Sequence, residues 1–255
     1  MLPNPLEMSL MVTSACQAGC EHCCQREWRS NNPKYHMSIP VLKKFIDVTV
    51  RSGYVFDFLV ISGGEPFLWK DLIPGVKLIK DSGIAKKIAI FSNGIALKEF
   101  NPIEFEAVYN NVDAIRITDL GFNSAFCDEF KGWFEQWKKV YFIDYSDFIV
   151  LPKDPVANSL PADCGCSHFS YSTSGLNICT LAKDLFYRYP DSYMPEGFPV
   201  DLPLSHKYLD KLIPWRKFDY SICQYCISNN KVRAKLERVP NKPAGKGGTI
   251  NVEDN

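Results

Sequence analysis

Little in this sequence would carry the chain into a membrane or across one. No apolar run approaches the roughly 18 to 20 residues that span a bilayer, and the opening MLPNPLE has neither the basic stretch nor the apolar core of a secretory signal. An excess of one charge is also missing: 29 basic residues balance 29 acidic ones, so no bulk field draws the protein to nucleic acid or an anionic membrane. No internal repeat is visible. These absences predict a cytoplasmic chain with neither nucleic acid nor membrane as partner. At 255 residues, 46% hydrophobic and 23% charged, it has room for one α/β barrel-like domain with a small appendage, but not for two large domains.

Cysteine, by contrast, is plentiful. Ten cysteines are many for a reducing compartment, where disulfides are rare, and nine of them fall into two groups. Metal or iron-sulfur ligation explains that clustering better than pairing does.

Short apolar runs alternate with amphipathic ones along the first half. Met8 to Thr13, Phe56 to Ser62, Lys87 to Ser92, Val112 to Thr118 and Val140 to Asp144 read as strands. A helix capped by Ser38 and closed by Gly53 lies between the first two, and helices over 71–82, 102–110 and 123–138 follow. Repeated βα units predict a parallel sheet with helices outside it, and ligand chemistry beyond the C-terminal strand ends. After prolines 152, 155 and 161 the alternation stops. The expected layout is a barrel-like domain over 1–150, a cysteine-rich module over 151–239 and a disordered polar tail over 240–255.

The first cysteine group is Cys16-Gln-Ala-Gly-Cys20-Glu-His-Cys23, a C-x3-C-x2-C string on the loop after the first strand. Three thiolates this close can wrap one metal cluster, and a four-iron cluster would keep one iron open to a small chelating molecule. Zinc is the bland alternative, although it usually takes four protein ligands. Further along, Gly63-Gly64-Glu65-Pro66 ends the second strand, Phe91-Ser92-Asn93-Gly94 the third, and Arg116-Ile117-Thr118-Asp119 the fourth. The glycines permit close backbone approach, and Glu65 offers a carboxylate to an ammonium group.

These motifs, in this order at successive strand ends, resemble the radical S-adenosylmethionine superfamily over roughly residues 8 to 145. The resemblance implies an α/β fold with a partial (β/α)5-6 TIM-like barrel. It also implies a [4Fe-4S] cluster on Cys16, Cys20 and Cys23, with S-adenosylmethionine held by Gly63, Gly64, Glu65, Ser92, Asn93, Arg116 and Thr118. His22 stands where the family usually has an aromatic residue against the adenine, and stacking there is still open to an imidazole. Cys24 is read as a bystander, and Cys127 as a small buried residue.

The second group comprises Cys164, Cys166, Cys179, Cys223 and Cys226, with Cys223-Gln-Tyr-Cys226 as a C-x2-C pair. From Cys166 through Gly175 to Cys179 and on to that pair, the pattern resembles the auxiliary-cluster module called twitch, the shortened SPASM domain. The step from glycine to cysteine is one residue shorter than usual. The resemblance implies a second [4Fe-4S] cluster on Cys166, Cys179, Cys223 and Cys226, with Cys164 as the alternative to Cys166. A structural zinc on the same thiolates fits the sequence too.

Such enzymes cleave S-adenosylmethionine reductively to a 5′-deoxyadenosyl radical that takes hydrogen from a substrate. A fully ligated second cluster can then accept the remaining electron, making the net reaction a two-electron oxidation such as alcohol dehydrogenation. The resemblance divides between two substrate classes, sugar- or aminocyclitol-like small molecules and ribosomal peptides or protein side chains. The short stretch before the first strand and the modest length favour the small molecule. An external one-electron donor, flavodoxin or ferredoxin, is implied. Tyr141, Asp144 and Arg188 are the candidate catalytic residues for substrate proton transfer, with His168 and Tyr187 behind them. The non-enzymatic alternative, a cysteine-rich metal-binding scaffold, would have no need of Glu65 or Asn93.

Overall fold

The computed structural model describes residues 7–20, 23, 25–144, 147–149, 168–172, 175–177 and 238–240. The elements, in chain order, are β1 (Glu7–Thr13), α1 (Arg26–Asn31), α2 (Ile39–Arg51), β2 (Phe58–Gly63), α3 (Leu72–Ser82), β3 (Ile88–Ser92), α4 (Pro102–Asn110), β4 (Ala114–Asp119), α5 (Ser124–Phe134) and β5 (Val140–Asp144). Short strands follow: β6 (Asp147–Ile149), β7 (His168–Ser172), β8 (Gly175–Asn177) and β9 (Arg238–Pro240). Single 3-10 turns over Pro66–Leu68 and Ile95–Lys98 come after β2 and β3.

Seven strands form one sheet in the order β5-β4-β3-β2-β1-β7-β8, with β5 and β8 at its edges. Every pairing from β5 through β1 to β7 is parallel, and only β8 runs antiparallel to its neighbour. The parallel βα order is the one the sequence predicts. β7 and β8 lie within 151–239, and they extend the main sheet beyond β1. β6 and β9 make a separate antiparallel pair, in which Asp147 meets Pro240, the first residue of the expected tail.

The two sheet faces differ chemically because successive strand residues point to opposite sides. Leu10, Ile61, Ile90, Ile115 and Ile117 join the apolar core beneath the helices. Ser9, Ser62, Arg116, Thr118, Tyr141 and Ser170 stand at the alternating positions, on the inner face, together with Met11, Val60, Ala89, Phe91 and Ile143. Among them, the Ser9 and Ser62 hydroxyls lie 2.9 Å apart, hydrogen-bonded to one another.

Packing joins the late strand to the first large helix. The Phe45 ring of α2 lies 4.7 Å from that of Tyr171 on β7 and 6.3 Å from that of Phe56. Each side chain so buried contributes about 1.5–3 kcal/mol. One helix start departs from the reading of the sequence, and another, α4, begins where the sequence predicts. Ser38 has the extended backbone of a cap, but its side chain makes no capping hydrogen bond. The start of α4 is a reciprocal cap: Asn101 Oδ1 accepts from the Glu104 N–H at 2.9 Å, and Glu104 accepts from the Asn101 N–H. The fourth predicted helix ends at Phe134 rather than 138. The short α1, REWRSN, lacks an apolar period and was not anticipated. Among the described residues, no helix is long and apolar enough to cross a membrane.

Candidate metal centre

The loop leaving β1 carries the first cysteines, and its backbone is tied down on several sides. The Ser14 N–H donates to the Tyr35 carbonyl at 3.0 Å, and the Ser14 hydroxyl accepts from the Tyr35 N–H at 3.0 Å. Thr13 Oγ1 accepts from the Ala15 N–H at 3.1 Å and lies 3.1 Å from His36 Nδ1. From α1, the buried Arg29 donates through Nε to the Ser14 carbonyl at 3.0 Å and through Nη2 to the Cys16 carbonyl at 3.2 Å.

Cys16 and Cys20 are buried and Cys23 half-buried, and the three share one small apolar cluster with Ala18, Ile95 and Leu120. Asn93 Nδ2 donates to Cys16 Sγ at 3.6 Å, and the Gln25 N–H donates to Cys23 Sγ at 3.4 Å. Burial pushes the Cys16 thiol up, and the nearby Arg29 charge pulls it the other way. The Gln17 side-chain oxygen in the same loop is buried without a hydrogen-bond partner among the described residues. No three His, Cys, Asp or Glu side chains are gathered tightly enough to hold an ion among the described residues. The donor chemistry nevertheless fits a thiolate-held cluster: three sulfurs within eight residues, walled by apolar side chains, two of them accepting N–H groups.

The second motif meets this loop directly. A Cβ on Gly64 would lie 2.1 Å from the Ala15 carbonyl oxygen, and one on Gly63, at φ +132°, would lie 2.4 Å from that of Thr13. The Gly64 and Glu65 N–H groups donate to those same carbonyls at 2.6 and 2.7 Å. The close approach these glycines make is therefore to the backbone of the cysteine loop. Glu65, fully buried, turns its carboxylate toward the end of β3, where Oε1 accepts from Ser92 Oγ at 2.7 Å and the Phe67 N–H at 3.1 Å, and Oε2 from the Asn93 N–H at 2.8 Å. Burial lifts its carboxyl to about 7 against the pull of those three donors.

The third and fourth strand ends close the ring of contacts. Ser92 Oγ accepts from the Gly94 N–H at 2.8 Å, and Asn93 Oδ1 accepts from the Ile95 N–H at 2.9 Å, which turns the Asn93 amide toward Cys16. Asn123, in the loop after β4, donates to the Asn93 carbonyl at 2.9 Å and the Thr118 carbonyl at 3.1 Å, and accepts from the Leu120 N–H at 2.6 Å. The Arg116 guanidinium stacks on the Phe91 ring at 3.3 Å. Phe91, Arg116 and Tyr141 sit side by side across β3, β4 and β5, with Tyr141 at 40% exposure. Asp144 ends β5 opposite Asp119, exposed.

Thus Cys16, Cys20, Cys23, Gly63, Gly64, Glu65, Ser92 and Asn93 come together at one end of the sheet. Arg116, Thr118 and Tyr141 line the inner face below. His22, Cys24, Cys164, Cys166, Cys179, Tyr187, Arg188, Cys223 and Cys226 lie outside the described residues, and His168 is placed as the first residue of β7. Sequence reasoning missed Arg29 and Asn123. Asn123 precedes a helix and reads as a cap, and nothing in REWRSN marks its second arginine as buried.

Residues 7–133 match a protein-family model described as a 4Fe-4S single cluster domain. That match lies over the same stretch in which the cysteine, Gly-Gly-Glu and Ser-Asn-Gly motifs resemble the radical S-adenosylmethionine superfamily. Over 94 residues the chain is 33% identical to GTP 3′,8-cyclase of Campylobacter jejuni subsp. doylei, a stretch covering 36% of the chain and 29% of the cyclase. It is 28% identical over 94 residues to the GTP 3′,8-cyclase of Alkaliphilus oremlandii, with the same 36% and 29% covered. The chain thus spans less than a third of the length of these relatives. Its structure superposes on that of BtrN in complex with AdoMet and 2-DOIA with a TM-score of 0.59 at 16% identity, covering 92% of this chain and 91% of that one. That likeness is one of fold, a parallel sheet flanked by helices as a partial (β/α) barrel.

Proposed function

We propose that this protein is a radical S-adenosylmethionine oxidoreductase that oxidises a hydroxylated small molecule, of the sugar or aminocyclitol kind, by two electrons. When bound to Cys16, Cys20 and Cys23, a [4Fe-4S] cluster supplies the electron that cleaves S-adenosylmethionine to the radical responsible for hydrogen abstraction. The observation that carries the substrate class is the polarity of the inner sheet face. Ser9, Ser62, Ser170, Thr118, Tyr141 and Arg116 stand there, interleaved with Met11, Val60 and Phe91, whereas Leu10, Ile61, Ile90 and Ile115 make the opposite face the more aliphatic one. Hydroxyls and a guanidinium suit a ligand rich in oxygen and poor in apolar surface. The similarity in fold to a structure solved with AdoMet and 2-DOIA supports the same reading.

Individual residues take the following parts. The inward-facing Arg116, held flat by Phe91, and Thr118 bind and orient the polar end of S-adenosylmethionine or substrate. Glu65, with Ser92 and Asn93, keeps the second and third strand ends at a fixed distance from the cysteine loop. Tyr141, on the inner face of the edge strand β5, is placed to hold or pass the proton a substrate hydroxyl releases on oxidation, whereas Asp144, three residues on, alternates to the opposite face at the strand end. Cys166, Cys179, Cys223 and Cys226 would hold the auxiliary [4Fe-4S] cluster, and a flavodoxin or ferredoxin would be the electron donor.

The test is anaerobic reconstitution of the full chain, with iron, sulfide and zinc counted per chain and 5′-deoxyadenosine followed after reduction. Near eight iron is expected, falling to near four in the C16A/C20A/C23A variant along with loss of 5′-deoxyadenosine, the sum for two four-iron clusters. Full S-adenosylmethionine cleavage by that variant would overturn the assignment. Four iron with one zinc would remove the auxiliary cluster from the proposal. Hydrogen abstraction from peptides but not from any polyol or aminocyclitol in a substrate panel would overturn the substrate class.

A further inference from the structure

One buried cation at the site has no part in the roles assigned above. Arg29 is 4% exposed, a rare condition for an arginine, and its guanidinium is spent on the carbonyls of Ser14 and Cys16. Those two carbonyls belong to the peptides before Ala15 and after Cys16, so the two-pronged donation fixes the peptide planes on either side of the Ala15-Cys16 pair. It also pulls α1 back against the loop whose last cysteine precedes that helix. The planar guanidinium meets both carbonyls at once, whereas an ammonium is a compact point charge without that fork. Of the other described groups that act on Cys16, the Glu65 carboxylate is already answered by three N–H and O–H donors, and the Cys23 thiol is a fellow member of the cysteine loop.

We infer that Arg29 is a positioning residue for the cysteine loop and that its buried positive charge sets the reduction potential of the cluster carried there. The inference rests on the radical S-adenosylmethionine reading of the site. A thiolate-held cluster gains one negative charge when it takes an electron, and in a low-dielectric surrounding a fixed cation beside the first ligand favours that reduced state. The same cation shields the gathered thiolates from one another. Removing the charge moves the potential to more negative values, and removing the fork while keeping the charge loosens the loop without moving the potential.

The test uses the full chain, reconstituted anaerobically, as wild type, Arg29→Gln and Arg29→Lys. The amino-terminal cluster is identified as the reduced-state paramagnetic signal that changes on addition of S-adenosylmethionine. Its midpoint is read by redox titration, and its retention by the rate of iron loss to a chelator. Arg29→Gln is expected to keep an S-adenosylmethionine-responsive signal at a more negative midpoint. Arg29→Lys is expected to keep the wild-type midpoint and to bind its iron about 10- to 100-fold less tightly, the usual cost of losing a partner that orients a ligand. A wild-type midpoint in Arg29→Gln overturns the electrostatic role. If Arg29→Gln holds no cluster, Arg29→Lys decides: iron loss at the wild-type rate, or a midpoint displaced despite the retained charge, overturns the inference. A wild-type chain that forms no S-adenosylmethionine-responsive cluster is a different result, and it overturns the proposed function itself.

Discussion

Gly64→Ala is the sharpest perturbation available at this site, because it adds one methyl group and meets only backbone. The new Cβ would lie 2.1 Å from the Ala15 carbonyl oxygen, 2.7 Å from its carbonyl carbon and 2.8 Å from the Ser14 oxygen. Real Cβ contacts do not fall under 3.0 Å, so β2 and the cysteine loop must separate by about 1 Å, and no side chain can rotate away to absorb the strain. That separation stretches the 2.6 Å bond from Gly64 to Thr13 and the 2.7 Å bond from Glu65 to Ala15 past useful length. Two lost hydrogen bonds at about 0.5–1.5 kcal/mol each, added to about 1–3 kcal/mol of overpacking, give a loss of about 2–6 kcal/mol. That is a large part of the 5–15 kcal/mol or so by which a domain is stable. The assay is urea denaturation of the full chain, paired with iron retention after anaerobic reconstitution. A variant that unfolds within about 0.5 kcal/mol of wild type and keeps its full iron would refute the claim that this glycine exists for the approach of β2 to the cysteine loop.

Other expectations concern the latch around Glu65 and the helix layer. Because burial raises the Glu65 carboxyl from 4.5 to about 7, its contribution to stability is fully present below about pH 4.5 and is lost as pH rises toward 7. The gap in unfolding free energy between wild type and Glu65→Gln should therefore change by about 3 kcal/mol across that window, and a flat difference would refute the shift. Asn123→Ala removes hydrogen bonds to Asn93, Thr118 and Leu120 and should cost about 2–4 kcal/mol in denaturation. It should also reduce iron retention, since Asn93 reaches Cys16. Asn101→Ala breaks the reciprocal cap of α4 and should cost about 1 kcal/mol with iron content unchanged, which separates general stability from the integrity of the site.

Much of the fold was legible because period and punctuation are local. The runs at 8–13, 87–92 and 140–144 are the strands β1, β3 and β5 to within a residue. Errors at strand starts have a physical cause: Phe56 is apolar and extended, but it meets the chain near Ala85 in an isolated bridge before β2 begins. The short α1 has no apolar period, so only its packing against the cysteine loop reveals it.

What the sequence by itself determined is the chemistry at each strand end and the order of those ends, since C-x3-C-x2-C, Gly-Gly-Glu and Ser-Asn-Gly are covalent facts of the chain. What only tertiary structure decided is which of these groups face one another. Gly64 lies against Ala15, Glu65 is shared by Ser92 and Asn93, Asn123 holds Asn93 from another strand's loop, and Arg29 is buried on the carbonyls of Ser14 and Cys16. Burial and long-range hydrogen bonding depend on distances between residues far apart in the chain, and a string of residue types does not contain those distances.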